Sequence, residues 1–180
     1  AVTADITVKE IKIVDTATEV SKVYDGNTDA KVTAAGTFDG LIDGDEVAIV
    51  TGKAAYNNKN VGNGKTVVFY DFALSGDDAV NYLLAAQPDS TTASITPKEL
   101  TIADLKVKDK PYDGKNTATI DGTPTLVGVV DGDVLTLVNG TPTFDSVATS
   151  KNIPISFTAF TLSGDGVTVG NYTLTQPRGI

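Results

Sequence analysis

The stretch VVFYDFALSGDDAVNYLL (67–84) returns 88 residues later as ISFTAFTLSGDGVTVGNYTL (155–174). Each stretch has alternating apolar residues, then a shift of one residue in that alternation, then a Ser-Gly-Asp turn and an Asn-Tyr pair. Period-two alternation is typical of a half-buried β-strand. A shift of one residue turns later side chains to the other face, so we predict a bulge, or a bend where the strand changes sheets. The bend is expected between Phe69 and Phe72 and between Phe157 and Phe160.

The repetition covers nearly all of the 180 residues. Three glycine-containing motifs recur at the same spacing: Tyr-Asp-Gly at 24 and 112, Asp-Gly-Asp at 43 and 131, and Ser-Gly-Asp at 75 and 163. At the front, TADITVKEIKI (3–13) matches TASITPKELTI (92–102). Internal repetition indicates tandem modules, and we predict two, residues 1–90 and 91–180, each large enough for a modest core.

Each copy contains six or seven short apolar or alternating segments separated by Gly, Asp and Asn. This pattern predicts an all-β protein of two small, immunoglobulin-like β-sandwich modules. The junction PDSTTASITP (88–97) has no Gly-Ser spacer, so we expect the modules to lie end to end with limited flexing.

The Thr-x-x-Ile-Thr segment, at residues 3–7 and 92–96, leaves the module frame open. If it opens each module, both copies are complete, and we prefer this frame because it leaves no open sheet edge. If it closes each module, the second copy lacks its last strand and residues 3–7 belong to an upstream copy that is missing here. Under this frame, residues 3–7 of one molecule could complete the second copy of another. Pairing of residues 3–7 within the first copy would exclude the second frame.

Composition limits the classes of partner. The 23 acidic and 14 basic residues give a net charge of −9, which argues against nucleic acid because phosphate contacts need clustered Lys and Arg. No apolar run approaches the roughly 18 residues of a membrane span, so we expect no membrane insertion. The chain begins with Ala1 and contains no Met, so we expect a processed protein or a segment of a longer one.

The residue types also argue against catalysis. Without His or Cys the chain cannot form a Ser-His-Asp triad, a Cys dyad or a histidine metal cage. We predict no enzyme, no catalytic residues, no cofactor and no metal ligands, and the sequence assigns no ligand-binding residues. The acidic clusters at 43–46, 75–78 and 163–166 lack known calcium-loop spacing. A structural calcium site and an intramolecular isopeptide bond remain alternatives.

The repeated motifs are interpreted as structural. The Asp-Gly-Asp motifs are predicted to form hairpin turns, and the Tyr of each Tyr-Asp-Gly is expected to bury its ring and keep its hydroxyl in water. Tyr82 and Tyr172 each follow an Asn at the entrance of the last strand. A Tyr there is expected to fix a loop through its hydroxyl, as tyrosine corners do.

The ordered set VYDGNT (23–28), DGDEV (43–47), NNKNVGNGKTV (57–67), FALSGDDAVNYLL (72–84) and TASITPKELTI (92–102) resembles the YDG-type repeat of large bacterial surface proteins. The second copy departs from it with PYDGK (111–115) and DSVATSKNIP (145–154). The resemblance implies secreted, adhesin-like proteins with many repeats that often serve as a stalk. It also implies a β-grasp-like module as the alternative fold, and no catalytic residues.

The expected function is therefore that of a non-enzymatic, stiff stalk in an extracellular or bacterial cell-surface protein, with neighbouring repeats of a longer chain as its partners. Two alternatives remain. The modules could themselves bind host or cell-surface glycans or proteins, or they could be accessory modules of a large extracellular glycan-degrading enzyme. A monomer is expected. Sugar binding usually needs exposed aromatic rings, and the chain has only six Tyr, six Phe and no Trp, which favours the stalk.

Overall fold

Alternating apolar segments form short β-strands throughout the computed structural model, which describes residues 2–178. The chain folds into two units. Unit 1 consists of Ala1–Val23 and Asn27–Thr96, and unit 2 of Tyr24–Gly26 and Pro97–Ile180. The helical part of the described chain is limited to a 3-10 turn, Ala79–Asn81, and a five-residue helix. The prediction of an all-β protein with two tandem modules is thus confirmed.

Unit 1 has twelve strands in the described chain. They are β1 Lys9–Val14, β2 Ala17–Thr18, β3 Ser21–Val23, β4 Asp29–Ala30, β5 Val32–Ala34, β6 Thr37–Asp39, β7 Ala48–Val50, β8 Lys53–Tyr56, β9 Gly62–Tyr70, β10 Ala73–Ser75, β11 Tyr82–Leu84 and β12 Thr91–Thr96.

The largest sheet of unit 1 has the order β3-β12-β9-β8-β4, and a second sheet has the order β11-β1-β6. Two pairs, β10-β7 and β2-β5, complete the unit. The pairing is mixed, because β1 runs parallel to β11 and β12 runs parallel to β3. Buried side chains alternate along these strands, as the period-two pattern predicts. They include Ile11, Ile13, Ala54, Tyr56, Val67, Phe69, Ala93 and Ile95.

Unit 2 repeats most of this arrangement with nine strands and one helix in its described part. They are β13 Lys98–Ala103, β14 Lys106–Val107, β15 Ile120–Asp121, β16 Thr125–Val127, β17 Thr136–Val138, β18 Pro142–Phe144, β19 Ile155–Phe157, β20 Thr161–Ser163, α1 Gly166–Gly170 and β21 Tyr172–Leu174. The pairs β13-β16, β13-β21, β14-β15, β17-β20 and β18-β19 match β1-β6, β1-β11, β2-β5, β7-β10 and β8-β9 of unit 1.

The predicted bend is present in both units. In unit 1, β9 pairs with β8 and β12, whereas β10 pairs with β7 in a different sheet. Asp71 lies between them in the left-handed region, with φ of 60°. The bend lets Phe69 and Phe72 both stay buried, with their rings edge to face at 5.9 Å. In unit 2 the strand likewise passes from the β18 pair to the β17 pair.

The preferred module frame is wrong. Residues 92–96 belong to β12, which pairs with β3 and β9 and so closes unit 1 instead of opening unit 2. Ala93 and Ile95 of this strand are buried in unit 1. Residues 3–7 lie outside every strand of the described chain and are exposed. The boundary between the units falls after Thr96, and only Pro97 separates β12 from β13 along the chain.

Candidate functional site

A tyrosine next to an acidic turn fixes one loop of unit 1. The backbone N–H of Ile42 donates to the hydroxyl oxygen of Tyr82 at 3.2 Å, and that hydroxyl donates to the carboxylate of Asp45. The Tyr82 ring is buried. Desolvation by burial, followed by the hydrogen bond to Asp45, raises the pKa of Tyr82. The expectation that this tyrosine fixes a loop is confirmed.

Unit 2 contains the same corner. The N–H of Val130 donates to the Tyr172 hydroxyl at 3.0 Å, and the hydroxyl donates to Asp133 Oδ2 at 2.6 Å. Burial first, and then the hydrogen bond to Asp133, raise the pKa of Tyr172 to about 12. Asn171, which precedes it, is also buried. The repeated Asn-Tyr and Asp-Gly-Asp motifs therefore meet within each unit.

The Asp-Gly-Asp motifs are turns, but the prediction that they are hairpin turns is wrong. Asp45 N–H donates to the carbonyl of Ile42 at 3.2 Å, and Gly44 has φ of 96°, so the motif does reverse the chain. The flanking strands are not partners, however, because β6 pairs with β1 while β7 pairs with β10. The turn therefore passes the chain between sheets and presents the Asp45 carboxylate to Tyr82.

The expectation of a buried ring with a wet hydroxyl is met only in part by the two Tyr-Asp-Gly motifs: the Tyr24 ring is buried, but its hydroxyl is not left to water, and the Tyr112 ring is exposed. Tyr24, which belongs to unit 2, is 1% exposed, and its hydroxyl donates to Asp133 at 2.8 Å. Tyr112 is 69% exposed. Beside it, Asp113 accepts from Lys110 Nζ at 2.8 Å and from the N–H of Lys115 at 2.9 Å. The hydrogen bond from Lys110 first, and then the one from Lys115, hold the pKa of Asp113 below its usual value.

Sequence analysis missed the role of two glutamines. The side-chain amide of Gln87 hydrogen-bonds both the N–H and the carbonyl of Phe72 at the bend. Gln176 makes the same two hydrogen bonds to Phe160 in unit 2. Both glutamines precede a proline in the repeated Gln-Pro dipeptide. That repetition is the signal that could have drawn attention to them.

Unit 2 carries a groove of about 670 Å³. Residues 107–113 and residues 146–153 both line it. The ammonium of Lys110 lies over the Phe144 ring, 5.7 Å from its centre, and Phe144 and Ile155 also line the groove. The exposed ring of Tyr112 lies at the same groove.

Acidic side chains of the predicted clusters serve the local fold. Asp78 Oδ2 accepts the N–H of Glu46 at 2.8 Å, and Asp165 Oδ1 accepts the N–H groups of Val167 and Thr168 at the start of α1. Within residues 2–178, no group of three or more acidic side chains is placed to hold a metal ion. No helix in that part of the chain is long and apolar enough to cross a membrane.

Two successive all-β units share the same bend, the same pair of glutamine-to-backbone hydrogen bonds and the same tyrosine corner. They define a tandem-repeat protein. The family model of the YDG domain matches residues 7–92 and again residues 96–179, so the chain belongs to the YDG domain family. This confirms the resemblance found in the sequence. Neither a curated protein nor a solved structure matches the chain.

Proposed function

We propose that the two YDG domains form a non-enzymatic, stiff stalk segment of a secreted or cell-surface bacterial protein of the adhesin-like type. The stalk would hold a distal binding domain away from the cell. The observation that carries this proposal is the use of the repeated residues. Gln87, Tyr82 and Asp45, like their counterparts in unit 2, hydrogen-bond inside their own unit, so the repetition preserves a scaffold.

The distribution of aromatic rings supports the same proposal. Eleven of the twelve Tyr and Phe side chains are buried or half-buried, and only Tyr112 is exposed. Glycan binding usually relies on exposed rings that sugar faces can stack on. The single residue between β12 and β13 also favours stiffness, because a short linker restricts the motion of the domains it joins.

Replacement of the whole segment tests the proposal. In the protein that carries these domains, they would be exchanged for two unrelated β-sandwich domains of similar length. A stalk predicts that surface attachment is retained with the exchanged domains and is lost when the segment is deleted without replacement. Loss of attachment in both cases would instead mean that the YDG domains themselves bind the target.

Small-angle scattering on the 180-residue chain tests the stiffness separately. Two domains in line should give a radius of gyration well above about 16 Å, the value for one globular domain of this length. A particle near that value would contradict a stalk.

A further inference from the structure

Strand β12 fills a defined place in unit 1. It runs antiparallel to β9 and parallel to β3, and it buries Ala93 and Ile95, which are 4% and 1% exposed. Its polar atoms are tied to both neighbours. The N–H of Ser94 donates to the carbonyl of Val20 at 3.0 Å, and its hydroxyl oxygen accepts the N–H of Gly64 at 3.4 Å.

The same place in unit 2 is the groove. Residues 109–111, which correspond to β3, form no strand, and β19 begins only at Ile155, whereas β9 begins at Gly62, the counterpart of residue 150. The other side of this sheet is preserved in unit 2. An isolated β-bridge between Thr117 and Thr143 lies at the position where β4 pairs with β8 in unit 1. Both irregular segments contribute residues to the lining of the groove. Unit 2 thus differs from unit 1 where a strand like β12 would lie.

The residues that line the groove keep features found beside β12 in unit 1. Asn152 has φ of 53°, and Gly64, its counterpart in unit 1, has φ of 58°. A non-glycine residue in the left-handed region is uncommon, so the shared conformation marks a retained feature. Lys110 lies over the Phe144 ring at 5.7 Å, as Lys22 lies over the Tyr56 ring at 5.5 Å.

Pro154, which lies between the groove-lining residues Ile153 and Ile155, does not obstruct strand addition. Its counterpart Thr66 accepts the N–H of Asn57, on the side away from β12, and Pro154 accepts the N–H of Asp145 in the same way. The N–H and C=O of one residue in an antiparallel strand point to the same side. The missing N–H of Pro154 would therefore point away from the groove, and the groove-facing positions on either side of it remain non-proline.

The N-terminal segment has the sequence that this place takes in unit 1. TADIT (3–7) differs from TASIT (92–96) by one residue, and Ala4 and Ile6 correspond to the buried Ala93 and Ile95. Residues 2–8 form no strand and are all exposed, with Val2 and Ile6 each at 103%. An exposed segment of β-forming residues readily pairs with another chain.

We propose that the groove of unit 2 binds residues 2–8 of a second copy of the chain as an added β-strand. The strand would run parallel to residues 109–111 and antiparallel to residues 150–155, in the register of β12. Backbone hydrogen bonds supply affinity in this mode of recognition, and burial of alternate side chains supplies specificity. Donor and acceptor are different surfaces, so association runs head to tail and gives rings or open chains. The proposal does not depend on the stalk function, and it replaces the expected monomer.

The register makes a further prediction about charge. Ser94 is aligned with Ser21 in unit 1, so Asp5 of one copy would lie beside Asp109 of the other. Like charges at aligned positions of neighbouring strands oppose pairing. Association should therefore be modest in the natural chain, and Asp5→Ser, which restores the TASIT sequence, should strengthen it.

Sedimentation of the full chain over a range of concentrations tests the proposal. The natural chain should form head-to-tail oligomers, and Asp5→Ser should form them at lower concentration. Ile6→Asp should weaken association at least about tenfold, because it places a charge where an isoleucine is buried. Val80→Asp is the matched control and should leave association unchanged, since Val80 is 79% exposed and lies outside both residues 2–8 and the groove. If neither Asp5→Ser nor Ile6→Asp changes the concentration at which oligomers form, the proposal is overturned.

Cross-linking then tests the register, because the chain has no native cysteine. A Thr3→Cys variant mixed with a Pro154→Cys variant should form a mixed disulfide dimer, since Thr92 and Thr66 are aligned in unit 1. Thr3→Cys mixed with Asp121→Cys, whose site is outside the groove, should form it much more slowly.

A synthetic peptide of residues 2–8 provides an independent measurement. It should compete with oligomer formation and shift the amide signals of residues 107–113 and 146–155. Equal cross-linking at both cysteine pairs, or a chain that stays monomeric at every concentration, would refute binding of a second copy, even if the isolated peptide binds.

Discussion

Gln87 donates its side-chain amide to the carbonyl oxygen of Phe72 at 3.1 Å and accepts the N–H of the same residue at 2.8 Å. The pair of hydrogen bonds satisfies both backbone groups of a buried residue at the point where the strand leaves one sheet for another. A strand at such a bend cannot use its usual neighbour for these groups. The glutamine therefore replaces the missing neighbouring strand.

Gln87→Ala is expected to lower the free energy of unfolding of unit 1 by about 1–3 kcal/mol, because it removes the partners of two backbone groups. Urea titration, with hydrogen exchange to separate the two units, measures the effect. Gln176→Ala is the matched variant in unit 2, where Phe160 is held at 2.8 and 2.9 Å. Each variant should destabilise its own unit. An unchanged free energy of unfolding would argue that the glutamine hydrogen bonds do not stabilise the bend.

Phe72→Ala should cost about 3–5 kcal/mol, since the ring is 4% exposed and packs against Phe69. Val68→Ala, at a position 49% exposed in β9, should change the free energy of unfolding by no more than about 0.5 kcal/mol. Thermal and urea unfolding of both variants give the comparison. Equal losses of unfolding free energy in the two variants would mean that the one-residue shift in the apolar alternation does not bring Phe72 into the core.

Gly52→Ala should destabilise unit 1 because another strand passes too close for a side chain. A Cβ atom there would lie 2.1 Å from the Tyr70 carbonyl oxygen and 2.4 Å from a ring carbon of Phe72. The backbone must shift to admit it, at a cost of about 1–3 kcal/mol or more. Gly62→Ala is the control, because its Cβ would meet side-chain atoms of Lys65 only at 3.6 Å. A loss of stability in the control as large as that of Gly52→Ala would contradict the steric explanation.

The bend and the tyrosine corner could be predicted from sequence because both leave local signals. The phase shift between Phe69 and Phe72 appears in the order of apolar residues, and the Asn-Tyr pair follows a recognisable turn. Each is determined by residues close together in the chain, so its geometry follows from periodicity and turn chemistry.

The module frame could not be predicted in this way. The Thr-x-x-Ile-Thr segment is expected to form a strand whichever unit it joins. Its local sequence does not determine which strands it pairs with. Its assignment depends on parallel pairing between Ser94 and Ser21, which lie far apart in the chain. The hairpin prediction for Asp-Gly-Asp failed for a related reason: a turn is local, but the partners of its two flanking strands are not.

Alkaline pH should destabilise unit 2 through its two buried tyrosines. Burial, and then Asp133, raise the pKa of both Tyr24 and Tyr172 to about 12, against about 10 in an unfolded chain. Between these values the unfolded state has released its phenolic protons while the folded state still holds them. The stabilisation is therefore complete below about pH 10 and is lost as pH rises through about 12.

Tyr172→Phe separates this titration from general alkaline unfolding. At neutral pH the variant should be less stable by about 1–2 kcal/mol, because the Val130 N–H loses its acceptor and the Asp133 carboxylate loses this donor. Between about pH 10 and 12 its stability should fall less steeply than that of the natural chain, since one of the two raised groups is gone. Unfolding free energies measured at a series of alkaline pH values give both slopes. Equal slopes for the variant and the natural chain would show that Tyr172 does not release its proton on unfolding in this range.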